Sequence, residues 1–205
     1  MNHLFNIDSH FDQSVVEAEN IFNNNGIFIY PTDTIYGIGG NPFNISVNRK
    51  IILLKKRDES KNFILLAGSV KIVEKYIDAD SFLLEKLYGI WPAPVSLIFK
   101  LKNKYEEIFG QQTIAFRIPE NEFCMKLLNR IKSPLISTSV NQEGESPLNN
   151  YEQIVDKFRN QVDAIFFTKK QNPVISSTVV DLTSDEPKLI REGVINFMDL
   201  LKKLG

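Results

Sequence analysis

Apolar positions recur at helical spacing early in the chain. Val15, Ala18, Ile21 and Phe22 share one face between Asp12 and Asn25, with Asp12 placed to cap that helix and Gly26 to end it. The next apolar run, Ile27 to Tyr30, is short and stopped by Pro31, the pattern of a buried strand. Val47, Ile51 and Leu54 predict a second helix over Ser46 to Lys56. A buried strand is expected at Phe63–Ala67, and short helices at Val70–Tyr76 and Ser81–Tyr88. Beyond Pro94, strands are expected at Val95–Leu101, Thr113–Ile118, Leu135–Ser139, Ala164–Thr168, Ser177–Leu182 and Lys188–Arg191. Helices are expected around Cys124, over Tyr151–Phe158 and over Ile195–Leu204. In the last of these, Ile195, Met198, Leu201 and Leu204 form the apolar face.

Helical and strand patterns alternate irregularly, and several strands follow one another directly. The reading is α/β, one domain over 1–205, with a mixed sheet and flanking helices rather than a regular doubly wound sheet. The polar stretch Gln142 to Asn150 reads as a loop within that domain. The chain has no apolar run near the ~18 residues of a membrane span and opens on no secretory pattern, so a cytoplasmic protein is expected.

Charge and composition narrow the chemistry. The net charge is −1, so bulk charge does not make this a polyanion-binding protein, and any anion site must be a local cluster. One cysteine, Cys124, excludes an internal disulfide, and its helical apolar neighbours mark it as a core residue. Both histidines, His3 and His10, precede the first helix, which excludes histidine-based triads and histidine-ligated zinc inside the fold. Carboxylates, hydroxyls, amides and cations remain.

Four places gather such groups. Thr32, Asp33 and Thr34 follow a buried strand and precede Gly37, Gly39 and Gly40, which permit close approach to a ligand. A turn bonded to its own backbone is the plainer alternative. Lys55, Lys56, Arg57 and Lys61 put four cations into seven residues at a helix end. There they suit polyphosphate, or merely the helix dipole, and Lys55 and Arg57 are both expected to face solvent. Ser137, Ser139 and Asn141 alternate along an extended segment and so share a face. Arg117 and Arg191 lie in apolar strand patterns, where each either pairs with an acid or meets an anionic ligand.

Seven collinear blocks tie these places together: YPTDTIYGIGGNPFN, the Lys55-x-Arg57 unit, WPAPVSLIF, TIAFRIP, PLISTSVNQEGESP, STVVDL and LIREG. Over about Ile27 to Gly193 the chain resembles the YrdC-like family of threonylcarbamoyl-AMP synthases, in its short single-domain form, with the motif-bearing part at about 12–193. The resemblance implies a twisted α/β fold with a large concave cavity. It implies that L-threonine, bicarbonate and ATP become threonylcarbamoyl-AMP and pyrophosphate, for N6-threonylcarbamoyladenosine in tRNA.

Position by position, Lys55, Arg57, Ser139 and Asn141 correspond to the catalytic set, and Thr32, Arg117, Ser137 and Ser177 to threonine contacts. Lys55, Arg57, Lys61, Thr113, Ser139 and Arg191 correspond to ATP contacts. Mg2+ is expected to arrive with ATP, with no metal site of the protein's own. Proteins that transfer the threonylcarbamoyl group, and tRNA itself, are the implied downstream partners, with no membrane involved. Asp58 and Asn62 stand where the family usually has prolines, and WPAP replaces the commoner WPGP. Three rivals are a YrdC-like RNA-binding module, a regulator without catalysis, and a carbamoyl-transfer domain of the hydrogenase-maturation type. The last normally carries cysteine-rich zinc segments, which this chain lacks.

Overall fold

A computed structural model describes residues 3–58, 62–170 and 175–205. In chain order the elements are β1 (His3–Asn6), α1 (Phe11–Asn23), β2 (Phe28–Tyr30), β3 (Gly37–Gly39), α2 (Ile45–Lys55), β4 (Ile64–Leu66), α3 (Val70–Glu74), α4 (Ser81–Ile90) and β5 (Val95–Lys100). Then follow α5 (Asn103–Phe109), β6 (Thr113–Arg117), α6 (Glu122–Ile131), β7 (Leu135–Ser139), α7 (Tyr151–Phe158), β8 (Ala164–Phe167), β9 (Thr178–Asp181), β10 (Lys188–Arg191) and α8 (Phe197–Leu204).

The strands form one mixed sheet in the order β1-β8-β2-β3-β7-β4-β6-β5-β9-β10. Parallel pairs (β1 and β2 with β8, β4 with β6, β5 with β9) are interleaved with antiparallel ones. This is the single mixed-sheet α/β architecture that the irregular alternation predicts.

Two cores form because side chains alternate across each strand. On one face Ile29, Ile38, Ile136, Leu65, Phe116 and Leu97 meet α2, α3, α4, α7 and α8. On the other, Phe28, Tyr30, Phe166, Leu66 and Leu135 meet α1 and α6. Cys124 lies in that second core, fully buried, with its thiol donating to the Pro31 carbonyl at 3.3 Å. Burial, and then the negative charge of Asp33, push the Cys124 pKa well up, so the sulfur stays a thiol.

Several boundaries differ from expectation for identifiable reasons. Asp12 lies inside α1, whose N-cap is His10 without a side-chain cap bond. The left-handed residue after α1 is Asn25, φ 56, while Gly26 is needed for space: a Cβ there would meet Ile21 Cγ2 at 2.6 Å. Helix α2 starts one residue early because the Asn44 side chain accepts from Ser46 and Val47 N–H. In α8 the buried residue is Leu200, and Met198 is exposed. Strand β1 and helix α5 were too short and too polar to show a period. No helix among the described residues is long and apolar enough to cross a membrane.

Candidate active site

Register puts the chemistry on one face of the sheet. Gly37 lies opposite Ser139, Ser137 opposite Ile64, and Leu66 opposite Arg117. These residues therefore share the face that carries α1 and α6. Those two helices cover only its Phe28, Tyr30 and Leu135 side. The remainder is the floor of a cavity of about 190 Å³, walled by Thr32, residues 34–37, Arg57, Asn62, Ser176, Ser177 and Arg191. That is smaller than the roughly 300–1,000 Å³ of a drug-sized pocket and fits one small ligand. Among the described residues three arginines line it, of which Arg117 is paired with Asp33 behind the wall, so the cavity favours negative charge.

Of the residues singled out in the sequence, Thr32, Arg57, Arg117, Ser137, Ser139, Ser177 and Arg191 line this cavity together. Lys55, Asn141 and Thr113 do not, and Lys61 lies outside the described residues. Thr113 shares the face of Arg117 but stands four residues away on β6, about 13 Å at the strand rise.

Lys55 is the main correction. The expectation of a solvent-facing helix end fails, because Lys55 is 3% exposed. Val47, Ile51 and Lys55 are spaced by four, so Lys55 continues the buried face of α2, a signal already present in the sequence. Its ammonium donates to the Ser139 and Asn141 carbonyls and, at 3.0 Å, to Asn141 Oδ1. Three acceptors take its three protons. Burial, then Arg57, lower its pKa to about 8, with Glu143 opposing them. Asn141 is equally engaged. It accepts from Ser139 Oγ at 2.5 Å and donates to the carbonyls of Gln142 and Glu145.

Arg57 follows α2. Its guanidinium lies 5.1 Å from the Phe63 ring centroid and donates to the Asn62 carbonyl at 2.8 Å. Burial lowers its pKa. Arg191 folds back from exposed β10 to donate to the Ser177 carbonyl at 2.9 Å and Ser177 Oγ at 3.2 Å. Partial desolvation of its head, then the charge of Arg117, lower its pKa.

Arg117 is almost fully buried and carries the partner that its apolar setting demands, Asp33. It also donates to Thr34 Oγ1 at 2.9 Å. The proton order in this loop is fixed. Thr32 Oγ1 gives its proton to the Ile35 carbonyl, so in the 3.0 Å contact between the two hydroxyls Thr34 is the donor. Thr32 also accepts from Thr34 N–H, which uses up its bonding capacity. Thr34, and not the Thr32 that the resemblance points to, is the loop hydroxyl that touches Arg117. Among the described residues, the buried side-chain polar atoms without a hydrogen-bond partner are Asp33 Oδ2, Arg57 Nε and Arg117 Nε, all at this site.

The glycines of β3 serve two ends. A Cβ on Gly39 would meet the Ile136 carbonyl at 2.3 Å and the Tyr30 ring at 2.8 Å, so Gly39 answers to packing. Gly37 lines the cavity.

A cationic, hydroxyl-lined cavity on one face of a mixed sheet suits an anionic group such as a carboxylate or a phosphate. The Sua5/yciO/yrdC family model, described as telomere recombination, matches residues 20–193, and the chain belongs to that family. It is 34% identical over 158 residues to a protein named threonylcarbamoyl-AMP synthase from Coxiella burnetii, covering 76% of this chain and 85% of that one. E. coli YciO superposes with a TM-score of 0.83 at 25% identity, covering 96% and 98% of the two chains. P. abyssi Sua5 complexed with L-threonine superposes with a TM-score of 0.86 at 23% identity. That match covers 94% of this chain and 58% of that longer protein.

Proposed function

We propose that this protein is an L-threonylcarbamoyladenylate synthase, a nucleotidyltransferase that converts L-threonine, bicarbonate and ATP to threonylcarbamoyl-AMP and pyrophosphate. The observation that carries the reading is the cavity on which Arg57, Arg117 and Arg191 converge among serine and threonine hydroxyls. The names of the relatives, and the threonine complex of a protein with this fold, support it.

In this reading Arg117 holds the threonine carboxylate, with Ser137 and Ser177 beside it. Arg57 and Arg191 face the α-phosphate and the departing pyrophosphate. The threonine amine and bicarbonate give a carbamate and water. A carbamate oxygen then attacks the α-phosphorus, and the bond to pyrophosphate breaks. Such a step depends on positioning and on neutralising charge, and calls for no histidine base. Lys55 acts from behind, fixing the Ser139–Asn141 corner and adding its charge. The small cavity encloses threonine and the reacting centre, and the nucleotide extends along β6 toward Thr113.

Among the described residues no three acids, histidines or cysteines gather to hold a metal. In this reading the nucleotide enters as its magnesium complex. The setting is the cytoplasm, and the product passes to a protein that transfers the threonylcarbamoyl group to tRNA. Pyrophosphate release measured with each substrate omitted in turn tests the reading. Release is expected only with threonine, bicarbonate and ATP together, and equal release without threonine would overturn it.

A further inference from the structure

We propose that Asp33 accepts a hydrogen bond from the amino group of the amino-acid substrate, so that Asp33 and Arg117 read both ends of one zwitterion. The proposal rests on the amino-acid reading of the cavity given above. The Asp33 side chain is 8% exposed and that of Arg117 is 6% exposed, so neither charge is satisfied by bulk water. Their ion pair uses only Asp33 Oδ1 and one Arg117 amine. A two-pronged pair would also join the second carboxylate oxygen to a second N–H. Here Asp33 Oδ2 and Arg117 Nε are both buried and both without a partner.

The neighbours do not supply the missing donor. The Thr32 proton goes to the Ile35 carbonyl and the Thr34 proton to Thr32. The Cys124 thiol, near enough for Asp33 to raise its pKa, donates to the Pro31 carbonyl. A carboxylate oxygen buried without a donor is expensive, and so is a buried guanidinium N–H without an acceptor. One ligand answers both deficits when it carries an N–H donor and a carboxylate a few ångströms apart, which describes an α-amino acid. Thr32 and Thr34, which flank Asp33 in the chain, line the cavity with Arg117; Asp33 itself sits behind that wall, so the amino group reaches Oδ2 as the carboxylate turns toward it.

The assignment also suits the chemistry. Ammonium, free amine and carbamate each keep at least one N–H. A fixed acceptor therefore holds the nitrogen through every stage and leaves its other side for the incoming carbon.

Calorimetry with L-threonine and with 3-hydroxybutanoate, which lacks only the amino group, tests this. Wild type is expected to prefer threonine by at least ~10-fold, the value of one charge-assisted hydrogen bond, and Asp33→Asn is expected to erase most of that preference. ATP affinity should stay within about 3-fold. An Asn variant that prefers threonine as strongly as wild type overturns the proposal and leaves Asp33 a structural partner of Arg117. Because losing half of a buried pair can prevent folding, a crystal structure of wild type with threonine gives a second readout. An amino nitrogen within ~3 Å of Asp33 Oδ2 supports the proposal, and one held elsewhere overturns it. Binding of a different α-amino acid, with the same sensitivity to Asp33→Asn, would sink the threonine reading and support Asp33. Binding of no α-amino acid would overturn both.

Discussion

Lys55 Nζ donates to both oxygens of Asn141, the carbonyl at 2.9 Å and the side chain at 3.0 Å, and so ties the end of α2 to the end of β7. The same ammonium holds the Ser139 carbonyl. Lys55 thus shapes the corner at which Ser139 reaches the cavity, although it does not line the cavity itself.

Replacing Lys55 with Met has two opposed effects on stability. It removes a buried charge whose pKa is already depressed, and it orphans three acceptors, each worth about 1 kcal/mol or more. The net change is expected to stay within ~1–2 kcal/mol, a melting shift of roughly 5 °C for a chain of this size. Turnover should fall at least ~100-fold, the loss typical of a disturbed charge-stabilising site. Circular dichroism melts beside steady-state rates check this; a melting loss above roughly 10 °C would make the residue chiefly structural.

Lys55 also predicts a pH limb. Its pKa of about 8 in the fold lies below the ordinary 10.5, because burial and Arg57 disfavour the charged form. Below 8 the penalty on stability is fully present. Between 8 and 10.5 the unfolded chain binds more protons, so stability from this group rises with pH. Activity runs the other way, since neutral Lys55 no longer supports the phosphate site. The kcat/KM for ATP should decline above pH 8, and that decline should vanish in Lys55→Met. An unchanged alkaline limb in the variant would assign it to another group.

Arg57 is partly buried, follows α2 and lies, outside both hydrophobic cores, over the Phe63 ring, so its loss should spare the fold. Arg57→Ala is expected to lower turnover at least ~100-fold with little change in melting. Arg57→Lys should recover only part, because a point charge replaces the planar fork. Parallel loss of activity and melting temperature would contradict a role in charge neutralisation.

Arg117→Lys should raise the threonine requirement far more than the ATP requirement, read as separate KM values. Lysine keeps the charge opposite Asp33 and so tests geometry rather than folding. A shift in ATP requirement alone would reverse the placement of the two ligands.

Gly193 presses on the strand that holds the cavity wall. A Cβ there would meet Ser176 O at 2.2 Å, Ser177 C at 2.5 Å and Thr178 N at 2.6 Å, all backbone that does not yield. Gly193→Ala should therefore lift the chain off Ser177, break the Arg191 contact and raise the ATP requirement. Unaltered ATP kinetics would show that Arg191 does not depend on this approach.

The sheet and most of the site were legible because burial on a strand or helix face leaves a period. The bounds expected for Leu135–Ser139 and Lys188–Arg191 match to the residue, and the helix expected near Tyr151–Phe158 lies there. Strand β3 was not, since Gly37–Gly39 has one side chain and no alternation to show. The burial of Lys55 was legible in its spacing from Val47 and Ile51 but was outweighed by its charge. The pairing of Arg117 with Asp33 was an open alternative. It joins residues 84 positions apart, and only the sheet register decides it. The proton order that favours Thr34 over Thr32 has no counterpart in composition or spacing.

The most direct test of the central claim follows carbon. Purified protein is incubated with carbon-labelled bicarbonate, L-threonine and magnesium ATP, and the nucleotides are separated and analysed by mass. The account predicts label in one new adenylate whose mass equals AMP plus a threonylcarbamoyl group, formed in equal amount with pyrophosphate. Pyrophosphate accompanied by unlabelled AMP alone, or by a threonyl adenylate without the labelled carbon, would contradict it.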